Sequence, residues 1–561
     1  MRKHLTPGLL ALIGILAGAL ALRLYGIEHG LPFIYHADES QHFTRYAVAM
    51  FDGDLNPHYF QNPTTFTYLV YFALKLHGFD DIASQYLADP TEIYEIARLV
   101  AVALSLIGIA TVYAVGRRLW GALEGVTAAA VLAFAFLPVA YSRYALTDVG
   151  VLFAIALAAY AVVKIHEDGA RRYYLIAGAA LGLTVAFKYT AGLILFPLVL
   201  AIVLRALKEE RTLRELAIAT GIVAGVSVLM FFLTNPYFVL DLDEALDELR
   251  SQRFSAGEVK LGQTEENPFG FYLSTLTWGL GWGAILAAAV GVGWEFRRNR
   301  TRAILLALFP LLLFLYLGSD AERYFARWMM PAYPILALFA GVAIAGVARS
   351  IAARGAVRAA VAGLLVAMIM AQPIVANVRT GGVLRKPDTR ELARNYMLEE
   401  LPPRTKIVVD AVAIRQPYDL PLLGVERAPD DPEFFPRFGA PPKKDNVYPP
   451  DPVRTQRFIE DLSPERIDRY RDAGYCTVIT MSWLRERAEI AEFEPGIAYY
   501  DRLERESEPL FTADPYDDPD DPVEFDFDMT HLYYDARYDR TGPRVEIRKL
   551  DDCENGVRRR G

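Results

Sequence analysis

Nearly charge-free apolar runs fill the first two thirds of this chain, and they restrict it to few folds. They lie near 5–22, 99–116, 125–142, 149–163, 173–187, 189–204, 216–234, 271–294, 303–317, 331–348 and 359–376. Each is close to the ~17–25 residues an α-helix needs to cross a bilayer. We therefore expect a polytopic α-helical membrane protein with about eleven transmembrane helices. From about 380 onward the chain turns polar, Pro-rich and acidic, with no comparable run. That shift predicts a membrane domain over 1–379 and a soluble α/β domain over 380–561. The composition, 53% hydrophobic and 22% charged, is too apolar for an ordinary soluble enzyme.

Met1-Arg2-Lys3 before the first run resembles a signal peptide, but no small-residue cleavage site separates that run from Arg23-Leu24-Tyr25-Gly26. A retained anchor is the expectation. With a cytoplasmic N-terminus, Arg117-Arg118, Lys164 with Arg171-Arg172, Arg205 with Lys208, Arg211 and Arg214, Arg297 to Arg302, and Arg349 to Arg358 all fall on inner connections. An odd number of spans then places the 28–98 loop and the C-terminal domain outside the cell membrane. Both cysteines, Cys476 and Cys553, lie in that outer domain, where they pair or stay free. The net charge of −9 and the lack of an outer basic stripe exclude nucleic acid as a partner. The acidic run 514–528 lacks EF-hand spacing and reads as a solvated loop.

The first outer loop is long and patterned. Phe43, Tyr46, Ala47 and Met50 recur at helical spacing within 39–51, as in a helix lying on the bilayer. An Asn56-Pro57-His58-Tyr59 turn follows, and Asn62-Pro63 opens a second apolar helix to about Leu76. An amphipathic segment spans 241–254. In the tail, Thr389–Glu400 reads as a helix, and 406–412, 475–481 and 544–550 as strands. No repeat of 20–50 residues is evident, which argues against a solenoid or an inverted-repeat transporter.

Ionisable groups gather at the outer mouths. Asp38-Glu39 follows the first span, within His36-Ala37-Asp38-Glu39-Ser40-Gln41-His42. A base that takes the proton of an acceptor hydroxyl suits glycosyl transfer, with Asp38 as base and Glu39 orienting. The run lacks the first histidine of a zincin, so a metalloprotease is disfavoured. Asp148 stands at the mouth before the fourth span, as a functional group, a helix cap, or both. Asp38 or Glu39 with Asp148 could hold a divalent cation, Mg or Mn. Arg143, Lys188, Arg323 and Arg327 break the positive-inside pattern on the outer side. Such cations suit an anionic headgroup; as the alternative they snorkel or pair with the acids. Sugars stack on rings such as Tyr59, Tyr35, Phe60 and Trp278, although an interfacial belt also accounts for them.

Together these residues resemble the GT-C glycosyltransferases, in particular the protein O-mannosyltransferase and aminoarabinose-transferase branch. Asp38-Glu39 matches the acidic motif of the first outer loop, and Asn62-Pro63-Thr64-Thr65-Phe66 the Pro-containing turn later in it. Arg143 to Asp148 looks like the Arg-x-x-x-x-Asp element, and Lys188 like the lysine between spans five and six. Arg323-Tyr324 to Met330-Pro331 is similar to a later signature. Asp388-Thr389-Arg390 and Gly542-Pro543-Arg544-Val545-Glu546-Ile547 look like elements of bacterial and archaeal relatives. The resemblance implies a polyprenyl-phosphate sugar donor, an inverting transfer with Asp38 as base, and Lys188, Arg323 and Arg327 on the lipid phosphate. Metal use varies across the fold, and the acceptor, glycan, lipid or protein, stays open. The tail does not resemble the lectin-type domain of eukaryotic O-mannosyltransferases.

A transporter or flippase of a lipid-linked substrate is the alternative, but it would place charges and broken helices at mid-membrane. The charges here sit at the mouths. A non-catalytic scaffold fits least, because acidic and basic groups are shared among separate outer loops.

Overall fold

The computed structural model describes residues 6–256, 262–263, 267–319, 323–401, 405, 407–409, 462–472 and 474–553. Eight helices among them are long and apolar enough to cross a membrane: Pro7–Leu24, Thr91–Leu119, Thr147–Glu167, Tyr189–Lys208, Leu213–Thr234, Pro268–Arg298, Arg300–Ser319 and Ala326–Ile351. The bent pair Gly355–Ile369 and Ala371–Glu400 makes a ninth. The other two expected spans are helices too short to qualify. Arg171–Phe187 has 17 residues. Ala122–Phe134 has 13 and breaks at Ala135, whose extended backbone redirects the chain into Phe136–Tyr141.

Both short helices are held by close helix–helix contact. A Cβ on Gly178 would come within 2.7 Å of the Val223 carbonyl on Leu213–Thr234, so only glycine permits that approach. Pro7–Leu24 is tied into the bundle through buried Arg23, which donates from Nε to Ser105 Oγ (2.9 Å) and from Nη1 to the Ala133 carbonyl (3.0 Å).

The first outer loop folds over the bundle rather than lying flat on lipid. The expected helix over 39–51 is broken at Phe43, whose φ of 41° separates Ala37–Gln41 from Thr44–Ala49. Phe43, Tyr46, Ala47 and Met50 are all buried, so the helical spacing marks a packed face and not a bilayer face. The second helix forms as Thr65–His77. Its start is clasped by buried Asn235, whose side-chain oxygen accepts from Thr64 N–H (2.6 Å), Thr64 Oγ1 (2.9 Å) and Thr65 N–H (3.1 Å). The amphipathic segment forms as Leu242–Ala256, and Glu248 on it accepts from the Phe60 and Gln61 amides.

The C-terminal region holds a four-stranded sheet of β1 (Ile407–Val409), β2 (Thr477–Met481), β3 (Ser507–Ala513) and β4 (Val545–Leu550), in the order β1-β2-β4-β3. β1 runs parallel to β2, and β4 is antiparallel to both neighbours. The expected strand over 406–412 is seen only at 407–409; 406 and 410–412, like Pro402-Pro403, lie outside the described residues. β3 was not expected; as the edge strand of the sheet it tolerates Pro509. Cys476 and Cys553 form a disulfide across a sequence separation of 77, closing the end of the domain. The helix Thr389–Glu400 begins as expected, capped by Asp388, which also accepts from Thr541 Oγ1 (2.8 Å). The two tail motifs, around Asp388 and Gly542, thus meet in the structure.

Candidate functional site

Four of the expected residues come together at one mouth of the helical bundle. Asp38, on the short helix Ala37–Gln41, pairs with Arg327 through Oδ2 and Nη2 at 2.8 Å. Arg327 sits on the 3-10 turn Ala326–Ala332, over the rings of Phe325 (4.5 Å) and Tyr141 (5.9 Å). Its carbonyl accepts from Lys188 Nζ (3.2 Å), and Lys188 also donates to Asp148 Oδ1 at 2.5 Å. Two ion pairs, Asp38–Arg327 and Lys188–Asp148, drawn from four separate segments, are linked through the Arg327 backbone carbonyl. Asp38 keeps 32% of its side chain exposed, whereas Asp148 keeps 9%. The accessible end of the chain is therefore the carboxylate of the first loop.

Asp38 also faces His42 Nε2 at 3.8 Å. Burial pushes the His42 imidazole down to about 4, and lowers His36 as well, so both rings are neutral at pH 7. Tyr59 is stacked between His42 (5.2 Å) and Tyr46 (4.6 Å), with its hydroxyl bonded to Asn62 at 2.5 Å. This ring supports the loop from beneath and presents no free face for a sugar.

Two other expected residues turn inward. Glu39 is fully buried and accepts a forked pair of bonds from Arg98, both 2.8 Å, plus the Ala145 N–H at 2.7 Å. Adjacent residues on a helix point in different directions, so Glu39 anchors the helix while Asp38 faces the mouth. Arg143 is buried, and its Nη2 donates to the carbonyls of Leu22 (2.8 Å) and Asn377 (3.2 Å), away from the Asp38–Asp148 chain. It ties the helix Pro7–Leu24 to Ala371–Leu384, while its Nε and Nη1 are buried without a hydrogen-bond partner. Arg323 is buried on the same connection as Arg327; Glu322 lies outside the described residues.

Asp528 was missed, because the acidic run 514–528 read as solvated. Its last carboxylate is buried and accepts from the Ala326 N–H at 2.8 Å, next to Arg327. Phe525, Phe527, Leu532 and Tyr533 flank it, an apolar setting that could have marked this end of the run as packed. Burial pushes the Asp528 carboxyl up to about 6, against the pull of Ala326 N–H and Arg327; Asp526 and Asp38 add to the rise. A raised acid contributes stability fully below its unfolded value of about 4, and loses it as pH climbs through about 6. Asp528→Asn, which no longer buries a charge, is expected to raise the Tm at pH 8 and leave it unchanged at pH 4. A thermal-shift series across that range checks this.

The expected cation site does not fit. Asp38 and Asp148 are each held by a positive side chain, and Glu39 by Arg98, so a metal ion would have to displace cations to reach them. Among the described residues, the group with metal-ligand spacing is His58, Asp241 and Glu244, whose donor atoms lie within 4.8 Å of one another. His58, on the first loop, is exposed, and Asp241 and Glu244, at the start of the Leu242–Ala256 helix, are half-buried; the Asp38–Asp148 chain does not include them.

Residues 94–237 match the dolichyl-phosphate-mannose-protein mannosyltransferase family. No curated protein matches the chain in sequence. In three dimensions it is similar to ArnT from Cupriavidus metallidurans bound to undecaprenyl phosphate, at 13% identity and a TM-score of 0.51, over 95% of this chain and 97% of that one. It is also similar to the apo oligosaccharyltransferase of Archaeoglobus fulgidus, at 12% identity and a TM-score of 0.55, over 94% and 75%. The same organism's AglB, in complex with an inhibitory peptide and a dolichol-phosphate, matches at 12% identity and a TM-score of 0.53, over 90% and 73%. The likeness to ArnT runs through both the helical bundle and the C-terminal region, and this chain therefore has the GT-C fold.

Proposed function

We propose that the chain transfers a hexosyl or pentosyl group from a polyprenyl-phosphate donor to an acceptor hydroxyl at the outer membrane face, with inversion. The observation that carries this reading is the Asp38–Arg327 and Lys188–Asp148 chain: two carboxylates and two cations gathered at one mouth of the bundle. Undecaprenyl phosphate in ArnT and dolichol-phosphate in AglB support a polyprenyl donor. The Cys476–Cys553 disulfide supports an extracytoplasmic C-terminal domain and, with it, a cytoplasmic N-terminus.

At rest each cation is engaged by a carboxylate. A donor phosphate entering the mouth competes for Arg327 and Lys188, with Arg offering forked bonds and Lys a point charge. Exchange of Arg327 onto phosphate frees Asp38. The acceptor oxygen then attacks the anomeric carbon from the face opposite the phosphate, and its proton passes to Asp38. The bond between that carbon and the phosphate oxygen breaks, and polyprenyl phosphate leaves as an anion whose growing charge the two cations offset. Buried Arg323 stands close by in sequence as a further cation.

Lys188→Ala is expected to weaken binding of polyprenyl phosphate about tenfold or more, the scale of one lost charge-assisted bond. Equilibrium binding in nanodiscs measures it. Unchanged affinity with reduced turnover would remove Lys188 from the phosphate and assign it to the chemical step.

A further inference from the structure

The soluble domain sends one segment into the mouth. Over 525–534 it packs Tyr533 against Phe136 (ring centroids 4.9 Å) and Trp278 (5.9 Å) of the bundle, buries Leu532 in the same core, and sets Phe527 against Phe325 (6.0 Å). Between these contacts stands Asp528. Its loop is braced from within: Asp526 Oδ1 accepts from the amides of Asp528 (2.9 Å) and Met529 (2.6 Å), and Thr530 Oγ1 accepts from the Asp526 N–H (2.9 Å). A braced loop presents the carboxylate in one position. Its target, the Ala326 amide, opens the turn that carries Arg327.

Leu532 and Tyr533 make the apolar contacts of this docking. A buried polar acceptor is costly in such an interface unless it is hydrogen-bonded, and Asp528 spends its oxygen on the Ala326 amide. Arg327 is held by three contacts from separate parts of the chain: Asp38 on its guanidinium, Lys188 on its carbonyl, and Asp528 on the amide just before it. We propose that Asp528 is a positioning residue of the transferase site, by which the soluble domain holds the Arg327 turn so that the guanidinium faces Asp38. The inference rests on the function proposed above, and it makes the site incomplete without the tail.

A mutant cycle on the full chain in nanodiscs tests it, with donor turnover as one readout and hydrogen exchange of the Ala326 amide as the other. Asp528→Ala is expected to lower kcat/KM for the donor about 10–100-fold, with Asp528→Asn recovering most of the loss because its side-chain carbonyl still accepts from Ala326. In an Arg327→Ala background, Asp528→Ala should add less than about a twofold further loss, since both changes remove one interaction. Faster exchange at Ala326 in Asp528→Ala, but not in Asp528→Asn, completes the expected result. Full additivity with Arg327→Ala, or wild-type kinetics in Asp528→Ala, overturns the proposal. If Asp528→Ala does not fold, Asp528→Glu, which shifts the carboxylate by one methylene, takes its place with the same expectation. If the wild type transfers no sugar, the functional reading fails by itself, and the exchange data still decide whether Asp528 holds the turn.

Discussion

Asp38→Asn is expected to lower kcat for sugar transfer by about 10²–10⁴-fold, the usual worth of a positioned general base, and to leave donor binding nearly unchanged. The amide keeps an oxygen that can accept from Arg327, so the mouth retains its shape while losing its base. Asp38 is also a third exposed and outside the core, so folding should survive the change. Single-turnover kinetics beside binding of polyprenyl phosphate separate the two effects. Loss of binding in parallel with turnover would mean that Asp38 organises the cations and does not accept a proton.

One residue along, the expected outcome reverses. Arg98→Ala should destabilise the protein by about 3–5 kcal/mol, because it strands a carboxylate in a dry site. Glu39 and Arg98 are both essentially inaccessible, and Glu39 spends its oxygens on the guanidinium and on Ala145 N–H. The pair joins the first loop to the Thr91–Leu119 helix and to the chain just before Asp148, so its loss should loosen the mouth that holds Asp38 and Asp148 as well. Unfolding by denaturant, or a thermal shift in detergent, measures the effect. A near-neutral Arg98→Ala would show that water reaches Glu39 and that the anchor is weak.

The contrast between Asp38 and Glu39 shows how far the sequence could be read. Charge-free runs were legible because hydrocarbon forces helices and excludes charge. The same logic drew attention to Lys188 and Arg327, as cations on the side where cations are scarce, and the structure brings both to Asp38 and Asp148. Arg143 met the same criterion and proved to be an internal tie, since sidedness reports depth along the membrane normal but not direction around a helix. Helix length was overread for Ala122–Phe134, where apolar composition continues across a bend that carries no compositional mark. Phe43 likewise ends a helix without glycine or proline to announce it.

Asp528 and Arg98 were invisible for a different reason. Both act across long sequence separations, and each lies in a stretch with an adequate local explanation: an acidic run for one, the start of a membrane helix for the other. Asn235 belongs with them. It reads as a helix-ending Asn-Pro, yet its side chain clasps the Thr64-Thr65 turn some 170 residues away. Polar residues that join distant segments leave a signal only in the partner, and one sequence does not say which partner that is.

The most direct test of the account is to supply the purified protein, in lipid, with a panel of radiolabelled polyprenyl-phosphate sugars and follow the bond between sugar and phosphate. The account predicts that the wild type, and not Asp38→Asn, releases polyprenyl phosphate from at least one donor, with the sugar passing to an acceptor hydroxyl. Movement of an intact donor across the bilayer, with that bond unbroken in both proteins, would contradict it and make the chain a transporter.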